Sequence, residues 1–175
     1  MTQPEFEAEP PFAGDAAMAQ FRRSIGRFAT GVCVVTTRVA NLDHAMTVHT
    51  LTSVSLDPML VLVCVEREAR FHDAVIESGV WGVSVLSGSG RPAAQWLSSR
   101  GRPLHGQLDL VPHHRGTATG VALLDEASAW LECRTHAVYP GGDHSVVIGD
   151  VVNARTGNLD AGVLVYHRGA YNRLP

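Results

Sequence analysis

The sequence predicts a mainly β domain rolled into a barrel, with a few short helices at its margins. Three observations lead there. Apolar runs rich in Val recur along the chain, GVCVVTTRV (31–39), MLVLVCVE (59–66) and VWGVSVL (80–86). They are near-continuous, which suits strands covered on both faces and a closed barrel better than a flat sheet. Helical spacing is confined to three short stretches, so no βαβ alternation develops. Finally, 175 residues suffice for one domain that buries roughly 70% of its unfolded surface without metal or disulfide support.

Taken in order, residues 1–14 carry three prolines and three glutamates without periodicity and read as a flexible tail. Residues 15–175 form the domain. Asp15 is placed to cap a helix whose Met18, Phe21, Ile25 and Phe28 share one apolar face, with Gly31 as its stop. The first β-branched run follows, then a turn at Asn41 to His44. Ala45 to Leu56 reads partly as strand and partly as polar loop, because Thr and Ser crowd it. Asp57-Pro58 separates it from the strand at 59–66. A short helix is expected from Phe71 to Glu77, closed by Ser78-Gly79, and a second from Pro92 to Ser99, with Pro near its start. The strand at 80–86 lies between them. Arg100 to Gly120, rich in Gly, Pro and His, reads as irregular. Strands near 128–139, 144–154 and 163–167 complete the chain.

Composition removes several function classes. All fourteen cations are arginine and none is lysine, which excludes Schiff-base chemistry and the phosphate-binding or kinase lysines. A net charge of −3 with dispersed arginines lacks the basic stripe of a nucleic-acid binder. No apolar run approaches the ~20 residues of a membrane span, and the acidic, proline-broken start is unlike a signal peptide. A cytoplasmic protein without nucleic-acid or membrane partners is expected. Cys33, Cys64 and Cys133 lie in apolar runs without CxxC spacing and read as buried thiols. The nine histidines show neither HExxH nor HxH spacing, so no metal site is expected. Gly88-Ser89-Gly90 is followed by Arg91-Pro92 and not by a helix-opening GxxG, which fails the dinucleotide fingerprint. No GxSxG nucleophile elbow is present either.

Two segments could carry chemistry. Thr47-Val48-His49-Thr50-Leu51-Thr52-Ser53-Val54-Ser55 places five hydroxyl residues in nine positions between apolar strands. Hydroxyls and backbone N–H groups at such a transition can hold a phosphate or the polar edge of a planar ring; a solvated edge strand is the alternative. Gly141-Gly142-Asp143-His144 offers a histidine beside a carboxylate, suited to acid catalysis or anion binding; a plain hairpin turn is the alternative.

With these residues in view, the chain resembles the short-chain flavin reductases, the small reductase components of two-component flavin-dependent monooxygenases. The resemblance is carried by FRRSIGRFATGVCVVTT, MTVHTLTSVSLDPMLVLVCV, SGVWGVSVL, LECRTHAVYPGGDHSVVIGDV and LVYHRGAY, from Phe21 to Tyr171. It implies an FMN-binding split β-barrel of Greek-key type and a homodimer. The implied reaction passes hydride from NADH or NADPH to FMN or FAD and supplies a separate oxygenase. It further implies that Thr47, Val48, His49, Thr50, Ser53, Val54 and Ser55 line the flavin ring and ribityl chain. Arg67 and Arg70 fall where the phosphate is held, and His144 meets the nicotinamide. His49-Thr50 stands where the family commonly has Asn-Ser, so flavin affinity is expected to vary with pH through His49. The same departure keeps open a flavin carrier or specialised flavoenzyme of this fold; a haem-handling split-barrel protein is a third reading.

Overall fold

The computed structural model describes residues 12–175; the expected tail at residues 1–14 therefore lies largely outside the described residues. The first helix, α1 (Asp15–Ile25), is followed by β1 (Thr30–Gly31), β2 (Cys33–Val39), β3 (Leu42–Val48), β4 (Thr52–Leu56) and β5 (Met59–Glu66). Then come α2 (Arg70–Ser78), β6 (Val80–Leu86), α3 (Arg91–Ser98), β7 (His113–Arg115) and β8 (Ala122–Leu124). The long hairpin of β9 (Ala127–Gly141) and β10 (His144–Thr156) precedes β11 (Val163–His167) and β12 (Ala170–Leu174). Among the described residues no helix is long and apolar enough to cross a membrane.

Seven strands form one antiparallel sheet in the order β3-β2-β6-β9-β10-β5-β4. Its outermost strands, β3 and β4, are consecutive in the chain and joined only by residues 49–51. A linker that short spans at most about 14 Å, so the sheet curls until its two margins approach each other. No ladder joins β3 to β4, and the barrel keeps an open seam there. Small sheets of β1-β11-β12 and β7-β8 lie outside it.

The uniform hydrophobicity of β2 has a direct cause. Val32 and Val34 enter one core with Leu86, Leu97, Leu124 and Leu164, between the sheet, α3 and the 108–124 segment. Cys33 and Val35 point the other way, into a second core with Val63, Phe71, Val75, Trp81 and Val147. A strand buried on both faces shows no period-2 pattern. Gly149 is fixed by this second core: a Cβ there would lie 2.5 Å from the Trp81 ring and 2.9 Å from Cys133. All three cysteines are free; burial pushes the Cys33 and Cys133 thiols up to about 12, and Cys64 is half-buried.

Several expected boundaries shift. Gly14, with φ of 85°, is the cap of α1, and Asp15 begins its first turn instead of capping it. The helix stops at Gly26, before Gly31, because the chain must turn to start β1. The first hairpin turns at Ala40-Asn41, both left-handed (φ 48° and 67°), one residue before the expected turn. That is the two-residue geometry matching strand twist, and Asn tolerates it well. Asp57-Pro58 turns β4 into β5 through a cis peptide bond. The irregular stretch at 100–120 contains β7, and neither β8 nor β12 was expected.

Candidate active site

A cleft of about 490 Å³ opens beside the second core, within the usual range for small-ligand sites. One wall is β3 with His49 and Thr50, the end of β5 with Glu66, and the start of α2 with Arg70. The opposite wall is the chain leaving α3, Ser98 to Arg102. His144, the first residue of β10, stands at its rim.

His144 owes its place to the β9–β10 turn. The register closes at Gly141 and His144, leaving Gly142-Asp143 as a two-residue loop with Gly142 at φ 69°, where glycine is favoured. His144 then pairs with Glu66 across the β10–β5 ladder, so both side chains leave the same face of the sheet. The backbone N–H of Arg67 donates to the Asp143 carbonyl at 3.0 Å and ties the turn to the end of β5. His144 Nδ1 lies 2.7 Å from Asp143 Oδ1. This hydrogen bond, with the charge of the imidazole, holds the Asp143 carboxyl below its ordinary range. It assigns the Nδ1 proton to the carboxylate and leaves Nε2 as the nitrogen available to a ligand.

The threonines contribute differently from what their sequence position suggested. Thr47 Oγ1 donates to the Ala94 carbonyl at 2.9 Å, tying β3 to α3. Thr50 Oγ1 accepts from Cys64 N–H at 3.0 Å and donates to the Cys64 carbonyl at 3.4 Å, tying the 49–51 linker to β5. Both hydroxyl protons are thus committed to the scaffold. His49 is exposed and lies over Tyr166 with ring centroids 5.4 Å apart and planes 22° from parallel. His44, also in the lining, has its pKa lowered by burial and by the positive charge of Arg70. Its Nδ1 is buried without a hydrogen-bond partner among the described residues.

Arginines join the two walls. Arg102, half-buried, donates to Ala45 O at 2.6 Å, Ser99 O at 2.7 Å and Gln107 Oε1 at 3.3 Å. Arg70 donates to Arg102 O at 2.6 Å. Arg100 Nη2 lies 3.1 and 3.3 Å from the two carboxylate oxygens of Glu66.

Of the residues expected at the site, Thr47, Val48, His49, Thr50, Arg70 and His144 line the cleft. Ser53, Val54 and Ser55 lie on the outer strand β4, past the bend at 49–51, and Arg67 is exposed; none of the four belongs to the lining. His44, Glu66, Arg100 and Arg102 went unnoticed in the sequence. Three arginines in Arg91 to Arg102, flanking a Gly in a lysine-free chain, were the available signal.

Guanidinium groups on both walls and the imidazoles of His44, His49 and His144 fit a flat, hydrogen-bonding, anionic ligand. Residues 25–175 match the flavin reductase like domain, and the chain belongs to that family. It is 37% identical to the NADH-dependent FMN reductase of Streptomyces nodosus subsp. asukaensis, over 89% of this chain and 84% of that protein. It is 34% identical to the reductase component of 4-hydroxyphenylacetate 3-monooxygenase from Thermus thermophilus, over 88% and 95%. The crystal structure of the flavin reductase component of a bacterial two-component tryptophan halogenase superposes with a TM-score of 0.85. Its identity is 40%, covering 90% of this chain and 98% of that one.

Proposed function

We propose that this chain is an NADH-dependent flavin reductase whose reaction takes place in the cleft of β3, α2 and the segment leaving α3, and whose product serves a separate oxygenase. The observation that carries the site assignment is the convergence on one cleft of His144, His44 and Arg70. When bound, the flavin supplies the ring that accepts hydride from the dihydronicotinamide.

The protein's own task is to hold two flat rings face to face and keep water from between them. Val48 and Phe71 give the cleft apolar lining, and His44 adds an imidazole to it. Arg70, at the first turn of α2, is placed for a phosphate, which a planar guanidinium binds with two parallel hydrogen bonds. His144, its Nδ1 held by Asp143, would offer Nε2 to the nicotinamide. Because Thr47 and Thr50 use their protons on the scaffold, their segment would meet the flavin through backbone groups and remaining hydroxyl lone pairs. Ser53, Val54, Ser55 and Arg67, outside the lining, have the weaker claim to the flavin.

The active form is a homodimer of the split-barrel domain, residues 15–175, in the cytoplasm. The exposed apolar side chains of α1 (Met18, Phe21 and Ile25) supply surface for a second copy to cover. The test is oxidation of NADH by protein stripped of flavin, with and without added FMN. Turnover that requires the flavin is expected. Flavin binding without turnover would remove the reductase reading and leave a carrier.

A further inference from the structure

We infer that Arg100 is a nucleotide-phosphate ligand of the cleft, held in reserve by Glu66 in the free protein and exchanged to the phosphate on binding. The inference rests on the reading of the cleft as a flavin reductase site. Arg102 gives hydrogen bonds to Ala45 O, Ser99 O and Gln107 Oε1, which fixes the wall and leaves it little to offer a ligand. Arg70 already gives one N–H to Arg102 O. Arg100 is different: among the described residues its only acceptors are the two oxygens of Glu66, both reached from the single atom Nη2. Its side chain is 88% exposed and that of Glu66 39%. Such an exposed, one-atom pair is weak and easily exchanged.

The pair also spans the cleft. Glu66 ends β5 on one wall and faces the same side as His144, its partner in the ladder. Arg100 comes from the other wall, two residues past the end of α3. A phosphate entering beside His144 meets a carboxylate that repels it and a guanidinium that suits it bidentately. Moving Arg100 from Glu66 to the phosphate replaces an open pair with a stronger one, while Glu66, left without its cation, opposes the exchange. Glu66 thereby sets how strongly the site discriminates phosphate-bearing ligands from those without phosphate.

Two ligands of the reaction carry phosphate, and the test separates them. If the flavin phosphate is the partner, Arg100→Gln weakens FMN binding about tenfold and leaves riboflavin unchanged, the scale of one charge-assisted hydrogen bond. If it is the nicotinamide nucleotide, the same variant raises KM for NADH about tenfold and leaves that for dihydronicotinamide riboside unchanged. Glu66→Gln shifts the affected ratio the opposite way, and the size of this shift changes in the Arg100→Gln background, because part of it passes through Arg100; strict additivity of the two substitutions would overturn the exchange. Equal loss for phosphate-bearing and phosphate-free ligands, or no change in either ratio, would overturn the assignment while leaving the reductase intact. Failure of the wild-type protein to bind any flavin is a distinct result that removes the reductase reading and this assignment together.

Discussion

Helices α1 and α2 carry comparable amphipathic patterns and meet opposite fates. In α2, Phe71, Ala74 and Val75 are buried, and Phe71 and Val75 join the core with Trp81 and Val63. In α1 no residue is buried: Met18, Phe21 and Ile25 are about half exposed, and Phe28 just beyond is 68% exposed. The spacing that gives a helix an apolar stripe therefore announces that something covers it, without saying what. For α2 the cover is the barrel. For α1 it is not any described part of the same chain.

The contrast can be broken most forcefully at Phe71. Phe71→Ala should cost about 3–5 kcal/mol of unfolding free energy, read from denaturant titration, because the ring is 4% exposed in a packed core. A loss as small as that of a surface residue would mean that α2 is no better anchored than α1. Next come the helix ends. Gly79 closes α2 in the left-handed conformation at φ 66°, whereas Gly26 follows α1 in right-handed geometry at φ −64°. Gly79→Ala is expected to cost about 1 kcal/mol, with Gly26→Ala changing stability less; equal costs would show that the two ends bear the same conformational demand. The smallest effect on unfolding is expected at Phe21. Phe21→Ser should alter it by under about 0.5 kcal/mol yet weaken self-association in sedimentation experiments. An unaffected dimer would send the search for the cover of α1 elsewhere.

How far the sequence could be read follows the same division. β5 and β6 match their expected spans, 59–66 and 80–86, residue for residue, because short apolar runs bounded by Asp-Pro and Ser-Gly leave few alternatives. β12, Ala170–Leu174, is mostly exposed and polar and exists through its pairing with β11; nothing local marks it. β8 is a three-residue strand paired only with β7. At the cleft, Thr47 to Thr50 and His144 were legible as local clusters. Arg100 and Arg102 were not, since their meaning comes from a segment that folds back onto β3 and β5, placing Arg102 on Ala45 and Arg100 on Glu66. The hydroxyls of Thr47 and Thr50 teach the converse: residues that looked like ligand donors give their protons to Ala94 and Cys64.

The strand shared by two cores also bears on how this protein can change over generations. Val32, Val34 and Leu164 meet on one side of β2, and Cys33, Val35 and Trp81 on the other. A strand with one wet face can drift at every second position; this one has no position from 32 to 35 where a polar side chain escapes burial. Variation should therefore be nearly frozen across four successive residues, whereas packing within one copy sets no such limit at exposed positions of β4 such as Thr52 and Ser53.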